Sequence, residues 1–141
     1  MEIGKLVIPL RTVISPEGKG GLSFIEGERD VPFDIKRVYY IHDVPYGTIR
    51  GHHAHRELEQ VLVCISGSID ILLDNGKEKD IIRLDDPSKG LFLPPGIWHT
   101  MTWLREESVL LVLASGYYDE SDHIRDYGEF LRLISNEADP Q

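Results

Sequence analysis

The chain has 141 residues, of which 41% are hydrophobic and 28% charged, and its formal net charge is −9. This length and composition predict one folded globular domain spanning residues 1–141. The acidic balance argues against nucleic-acid binding, which depends on clustered Lys and Arg. No apolar run approaches the roughly 20 residues that span a bilayer.

The single cysteine and the N-terminus bear on location. Cys64 lies in the apolar run VLVCIS, which predicts a reduced core residue and not a nucleophile. The N-terminal MEIGKLVIPL lacks the basic-then-apolar layout of a secretory signal. These features predict a cytoplasmic protein that does not associate with membranes.

Short extended runs separated by turn residues dominate the chain, and they are rich in β-branched, aromatic and leucine residues. In chain order they are 21–26, 37–41, 59–67, 68–74, 79–84, 90–94, 99–103 and 108–115. Asn75-Gly76 separates two of these runs and strongly predicts a β-hairpin, because both turn residues adopt positive φ. About eight strands predict an antiparallel sandwich or barrel over about residues 20–115.

The C-terminal segment has a different periodicity. Apolar residues recur at helical spacing, at Ile124, Tyr127, Leu131 and Ile134. This spacing predicts a short helix over about residues 119–136, with Asp119 or Ser121 as its cap. Gly128 is a poor helix former, so a short turn followed by a helix also fits.

The stretch RGHHAHRELEQ, residues 50–60, concentrates histidines. In a strand, His53 and His55 project from one face while Ala54 projects from the other. Glu59 continues the same face if no bulge intervenes. Imidazole titrates near neutrality, so the pair suits proton transfer or metal ligation, and exposed strand histidines are the simplest alternative.

A second stretch, GLFLPPGIWHTM, covers residues 90–101. Pro94-Pro95-Gly96 predicts a rigid turn, because proline fixes φ. The turn would place His99 reproducibly at the start of the next strand. Alone, this pattern fits an ordinary turn with a surface histidine equally well.

Together the two stretches resemble the two sequence motifs of the cupin superfamily. The first reads Gly47-x5-His53-x-His55-x3-Glu59, and the second reads Gly-x3-Pro-Pro-Gly-x2-His99. The resemblance covers roughly residues 37–115 and implies an all-β cupin jelly-roll barrel followed by the short C-terminal helix. In that superfamily the three histidines and the glutamate meet inside the barrel, often around a divalent metal.

A narrower resemblance involves KRVYYI, RGHHAHRELEQVLVCISGS, PPGIWHTM and LVLASGYYDESDHIRDY. These segments, spanning about residues 20–135, are similar to the sugar 3,4-ketoisomerases that act on dTDP-4-keto-6-deoxyglucose. The resemblance implies an isomerase that moves the keto group from C4 to C3 without metal or cofactor. It implies catalytic roles for His53 and His55, with His53 favoured as the base and His55 as the proton shuttle.

The same resemblance implies a set of substrate-binding residues: Arg37, Tyr39, Arg50, His99 and Lys19. Arg37 shares a strand face with Tyr39 and is expected to hold the diphosphate, while the neighbouring Tyr40 is expected in the core. Lys19 is expected to reach the nucleotide. His42 and His123 receive no function in this interpretation.

Three alternatives differ in chemistry. A metal-dependent cupin enzyme would use His53, His55, Glu59 and His99 as ligands. A non-catalytic sugar-binding cupin would retain the pocket without turnover, and a sugar 3,5-epimerase would share the barrel and the proton abstraction. The resemblance also implies a homodimer, in which VIPL (7–10) is either an exchanged strand or an edge strand of its own chain.

Overall fold

The computed structural model of the chain describes residues 3–138. The predicted domain of residues 1–141 therefore extends beyond the described residues at both ends. The described strands are β1 (Val7–Pro9), β2 (Arg11–Ile14), β3 (Gly21–Phe24), β4 (Arg37–Ile41), β5 (Ile49–His55), β6 (Gln60–Ser66), β7 (Ile69–Asp74), β8 (Lys79–Leu84), β9 (Lys89–Leu93), β10 (Trp98–Trp103), β11 (Val109–Ala114) and β12 (His123–Ile124). Short 3-10 helices cover Ile3–Lys5 and Glu120–Asp122, and α1 covers Tyr127–Ala138.

Most strands belong to two antiparallel sheets. Sheet 1 has the order β1-β9-β6-β11-β4, and sheet 2 has the order β12-β5-β10-β7-β8. The strands β2 and β3 form a separate hairpin. This arrangement confirms the predicted all-β jelly-roll fold with a short C-terminal helix. The two sheets form a sandwich and do not close into a continuous barrel.

The core lies between the two sheets. Side chains alternate between buried and partly exposed along β7 and β10, as expected when one face of a strand packs inward. Ile71 and Trp103 of sheet 2 join Leu62, Leu91 and Leu110 of sheet 1 in one buried cluster. Cys64 belongs to the same cluster and is 1% exposed, so its prediction as a core residue is confirmed.

The predicted hairpin at Asn75-Gly76 forms between β7 and β8. The Asn75 side-chain oxygen accepts hydrogen bonds from the backbone N–H groups of Lys77 and Glu78. Gly76 has a φ of 90°, a conformation that glycine adopts without steric cost. The hairpin is therefore confirmed, but the details of its turn differ from the prediction. The loop covers residues 75–78, and of Asn75 and Gly76 only Gly76 has a positive φ.

The N-terminal segment provides an edge strand of its own chain. β1 pairs antiparallel with β9, which is the intramolecular one of the two predicted arrangements for VIPL. β2 was missed by sequence reasoning, since RTVI is short and lies beside turn residues.

The C-terminal helix begins at Tyr127 and not near residue 119. Asp119 instead accepts a hydrogen bond from the Ser121 backbone N–H and caps a 3-10 turn. β12 then pairs with β5, and the Asp126 carboxylate accepts from the Glu129 backbone N–H at the start of α1, as an N-cap does. The apolar residues of this segment are therefore divided between the strand β12 and the helix α1 that follows it.

α1 packs against sheet 2. Phe130 is fully buried beside Ala54 and Ile124, and the Tyr127 hydroxyl donates a hydrogen bond to the buried Asp74. No helix within residues 3–138 is long and apolar enough to cross a membrane.

Candidate active site

A cavity of about 550 Å³ opens between the two sheets. This volume falls within the range of about 300–1,000 Å³ that is typical of small-molecule sites. Strands β4, β5, β6, β10 and β11 and the segment from residue 118 to 125 contribute its walls. The polar side chains that line it are Arg37, Tyr39, Arg50, His52, His53, His55, Gln60, His99, Tyr118, His123 and Arg125.

Four imidazoles meet in this cavity. The ring of His53 lies 5.0 Å from that of His55, 4.6 Å from that of His99 and 5.2 Å from that of His123, measured between centroids. The rings of His55 and His123 lie 4.7 Å apart. Each of the four rings is therefore close enough to a neighbouring imidazole to exchange a proton with it or to share a bound ligand.

Strand pairing explains this cluster. His99 of β10 is the register partner of His53, and His123 of β12 is the register partner of His55. Side chains of directly opposed residues lie on the same face of a sheet. β5 contributes two histidines from one face, and each neighbouring strand adds one beside them.

β5 carries an irregularity next to the cluster. Gly51 and His52 have φ values of 97° and 58°, and the pairing with β10 shifts register between His99 and Thr100. A Cβ at Gly51 would lie 3.0 Å from the His99 carbonyl oxygen. A side chain at position 51 would be crowded, so glycine suits that position. The irregularity directs His53 into the cavity and leaves His52 exposed.

Burial makes the cavity histidines weaker bases than free imidazole. Desolvation, followed by the neighbouring His53, lowers the pKa of His55 to about 3. Desolvation likewise lowers the pKa of His53 and of His99. All three are therefore neutral at pH 7, the form that accepts a proton or binds a metal.

His55 is oriented by a carboxylate. Its Nδ1 lies 3.3 Å from Asp122 Oδ2. The Asp122 oxygens also accept hydrogen bonds from the backbone N–H groups of Glu57 and Leu58, so the carboxylate is fixed. An ionised carboxylate only accepts, so Nδ1 of His55 carries the proton and Nε2 keeps its lone pair.

The other imidazoles have different partners. Nδ1 of His99 lies 3.3 Å from the Ile97 carbonyl oxygen, and Nδ1 of His123 lies 3.2 Å from the Asp119 carbonyl oxygen. Nδ1 of His53 is buried without a hydrogen-bond partner.

Arg37 and Tyr39 form the wall on sheet 1. The Gln60 side chain donates a hydrogen bond to the Tyr39 hydroxyl oxygen at 2.8 Å, which leaves the Tyr39 proton available. Burial raises the pKa of Tyr39. The Arg37 guanidinium lies 5.1 Å and 5.7 Å from the ring centroids of Tyr39 and Tyr118, and its Nε is buried without a partner.

The predicted site residues converge with one exception. His53, His55, His99, Arg37, Tyr39 and Arg50 all line the cavity. Lys19 does not, because it lies between β2 and β3 with its side chain 76% exposed and paired with Glu17. Tyr40 is 63% exposed and does not belong to the core.

Sequence reasoning missed several residues of the site. His123 was assigned no function, yet its ring contacts those of both predicted catalytic histidines. Asp122, Tyr118 and Arg125 were also missed. The block YYDESDHIRDY that carries the family resemblance contains all four, and it was the only signal available.

The metal ligands expected of a cupin do not assemble. β5 ends at His55 and β6 begins at Gln60, so the strand period does not extend to Glu59. The backbone N–H of Glu59 donates to Ser115 Oγ, and Glu59 is absent from the lining of the cavity. Within residues 3–138, the cluster of potential metal ligands comprises His53, His55 and His123.

A jelly-roll sandwich whose cavity holds neutral, paired histidines defines a small cupin-type protein suited to proton transfer on a bound ligand. The chain belongs to the family described as FdtA: WxcM-like, C-terminal, which matches residues 5–135.

Characterised relatives cover nearly the whole chain. The TDP-4-oxo-6-deoxy-alpha-D-glucose-3,4-oxoisomerase of Aneurinibacillus thermoaerophilus is 46% identical over 129 residues, which are 92% of this chain and 91% of that protein. The sugar 3,4-ketoisomerase QdtA of Thermoanaerobacterium thermosaccharolyticum, solved in complex with TDP, is 45% identical with a TM-score of 0.87, over 93% and 94% of the two chains. A QdtA variant solved with TDP-4-keto-6-deoxyglucose is 43% identical, has a TM-score of 0.87 and covers 96% of each chain.

Proposed function

We propose that this chain is a 3,4-ketoisomerase that moves the keto group of TDP-4-keto-6-deoxyglucose from C4 to C3, in cytoplasmic nucleotide-sugar biosynthesis. The observation that carries the proposal is the neutral His53–His55 pair in the cavity. The high identity to enzymes with this activity supports the choice of substrate.

The reaction requires two proton transfers at carbon. A base removes the proton from C3, and the electron pair of that bond forms a C3–C4 double bond while C4=O becomes an enediol or enediolate oxygen. The 3-hydroxyl then loses its proton, C3=O forms, and C4 receives a proton. No atom is gained or lost overall. General bases of this kind contribute about 10²–10⁴-fold to rate.

His53 and His55 divide these tasks in our proposal. His53 takes the C3 proton, and the ring of His99 lies 4.6 Å from that of His53. His55, with Nδ1 directed to Asp122, exchanges protons with the oxygens through Nε2. The paired arrangement lets one imidazole remove a proton while groups that exchange with solvent supply the proton that C4 receives, without a metal or other cofactor.

The remaining polar groups suit charge on the substrate. Tyr39 and Arg50 are donors for the oxygen on which negative charge develops. Arg37 has a buried Nε without a partner and lies at the cavity wall, where a diphosphate would pair with its guanidinium. His99 contacts the sugar near the carbon that is protonated last. In this proposal Lys19 of the same chain does not contact the substrate.

Product analysis tests the activity. The full chain is incubated with TDP-4-keto-6-deoxyglucose in D₂O and the product is examined by NMR. We expect a carbonyl at C3 and deuterium at C4. Inversion at C3 and C5 with the carbonyl still at C4 would identify an epimerase and contradict the proposal. Unchanged sugar that nonetheless binds would identify a non-catalytic protein.

Substitution of the histidines tests their roles. His53→Asn and His55→Asn should each lower kcat by about 10²–10⁴-fold, since each removes a proton-transfer group. His42→Asn is the matched control, because His42 is exposed beside Asp43 and lies outside the cavity. Loss of activity in the control to the same extent would overturn the assignment.

We also propose that the chain forms a homodimer through the outer face of sheet 1. An apolar groove there is lined by Ile14 of β2, Ile65 of β6 and Leu111 of β11. Tyr40, the register partner of Leu111, extends it, and the exposed fractions of Ile14 and Ile65 are 69% and 46%. Contiguous exposed apolar surface of this kind typically marks an interface, and a second copy would cover it.

A further inference from the structure

We infer that His53, His55 and His123 form a binding site for a divalent first-row transition metal such as Zn²⁺, and that the bound metal inhibits the enzyme. One ligand atom from each histidine lies within 4.8 Å of those of the other two. The ligands expected of a cupin are His53, His55, Glu59 and His99. The trio differs from that set because it includes His123 from β12 and neither Glu59 nor His99. The inhibition, unlike the binding, rests on the proposed function.

The ligand chemistry fits such a metal. Neutral imidazole suits Zn²⁺, Cu²⁺ and Ni²⁺, and three histidines with one open position are a common zinc arrangement. Zinc–nitrogen bonds of about 2.0–2.1 Å require the three rings to move closer together by small rotations.

Groups behind the ligands hold two of the rings in place. Asp122 lies behind Nδ1 of His55, and the Asp119 carbonyl oxygen lies behind Nδ1 of His123. A carboxylate or carbonyl that accepts from the far nitrogen orients an imidazole ligand and raises its basicity. In both residues this leaves Nε2 for the metal. His53 supplies the third ring, whose ligand atom lies within 4.8 Å of those of the other two.

Three arginines line the cavity, and two of them, Arg37 and Arg125, act electrostatically on His55 and so oppose a metal. The environments of these two differ. Arg125 is paired with Glu120 through two contacts of 2.9 and 3.1 Å, which reduces its repulsion. Arg37 lies over the rings of Tyr39 and Tyr118. A substrate diphosphate would neutralise Arg37, but the sugar would then occupy the space in front of the histidines. Metal and substrate should therefore compete.

The same nitrogens cannot serve both purposes. A lone pair that coordinates Zn²⁺ is unavailable to accept a proton from C3 or from a hydroxyl. Metal at the trio would consequently block proton transfer by His53 and His55 and exclude the sugar. The isomerase should be inhibited reversibly by added transition metal and restored by a chelator.

Calorimetric titration with ZnCl₂ tests the site without using activity. The full chain is first freed of metal with a chelator and exchanged into metal-free neutral buffer. We expect one Zn²⁺ per chain, and at least about tenfold weaker binding for His123→Gln and for Asp122→Asn. His42→Ala is the control for surface histidines, and circular dichroism checks that each variant is folded. Absence of binding, or equal loss in the control and in His123→Gln, would overturn the site.

Turnover measurements test the inhibition separately. Rates with and without ZnCl₂ are compared for each variant against its own metal-free rate, at several substrate concentrations. We expect inhibition of the unsubstituted chain that is competitive with substrate, and resistance in His123→Gln. Metal bound at the trio without loss of rate would overturn the inhibitory role. If the chain shows no isomerase activity at all, the calorimetric result still decides whether the metal site exists.

Discussion

Burial determines what the cavity histidines do at neutral pH. In water imidazole is partly protonated near its pKa of about 6.5, but desolvation inside the sandwich lowers the pKa of His53, His55 and His99. Three neutral rings within contact distance avoid the mutual repulsion that charged rings would have. The consequence is a set of neutral rings that can each accept a proton.

The pH dependence of kcat/KM should reflect this burial. The active form has neutral histidines, and a lowered pKa keeps them neutral to a lower pH, so activity should persist below pH of about 6.5. The acid limb of the profile, measured by NMR or a coupled assay from neutral pH downward, should have its midpoint under that value. A midpoint at or above the ordinary histidine pKa would contradict the role assigned to the buried pair.

Asp122 should act as a positioning residue for His55. Asp122→Asn removes the anionic acceptor behind Nδ1 and allows the wrong tautomer, so kcat should fall by about 10–100-fold while KM changes little. Asp126→Asn is the matched control, since Asp126 caps α1 and asparagine caps almost as well. A fall in thermal stability without the kcat effect would mean that Asp122 is only structural.

At the scale of elements, one tight turn between strands tolerates no side chain. The turn between β6 and β7 contains Gly67, whose φ is 86°. A Cβ there would lie 2.1 Å from Ser108 Oγ and 2.6 Å from Ser108 Cα. Ser108 is fully buried and bonds the Ser68 backbone in both directions, so it has no room to move.

Gly67→Ala should therefore destabilise the chain by about 2–5 kcal/mol, from the left-handed backbone and from overpacking together. Gly47 is the matched control, because its φ is 82° but nothing lies within 4 Å of a Cβ placed there. Gly47→Ala should cost only about 1–2 kcal/mol. Urea unfolding of both variants measures the difference, and equal losses would show that the Ser108 contact is unimportant.

At the scale of the whole molecule, one face of sheet 1 remains apolar and uncovered in a single chain. Ile14, Ile65 and the neighbouring Tyr40 expose large fractions of their side chains there. The β2–β3 hairpin that borders this groove also carries Lys19 in its turn. Association through this face would place the hairpin against a second copy.

Charge on this face should prevent association. Ile14→Glu and Ile65→Glu should shift the protein from dimer to monomer, since a carboxylate in an apolar interface is costly to desolvate. Ile81→Glu is the control, because Ile81 is 59% exposed but lies on β8 of the other sheet. Analytical ultracentrifugation distinguishes the species. A monomeric unsubstituted chain, or dissociation by Ile81→Glu alone, would contradict the proposed interface.

The sequence by itself determined the features that depend on local pattern. Alternating apolar runs and the Asn75-Gly76 turn identified most strands, because strand period and turn chemistry act over a few residues. The same period put His53 and His55 on one face. The wider motif, including His99 and the block from 117 to 127, identified the family to which the chain belongs.

Only the tertiary structure decided which distant groups join that pair. Asp122 contacts His55 across 67 positions, and His123 reaches the cavity because β12 pairs with β5. Strand period fixes the face of a side chain but not the identity of the neighbouring strand, so His123 could not be placed. Glu59 does not line the cavity, because β5 ends at His55. Lys19 lies on the β2–β3 hairpin, outside the cavity of its own chain. These outcomes depend on which distant strands pair with each other, and the local sequence pattern does not predict that pairing.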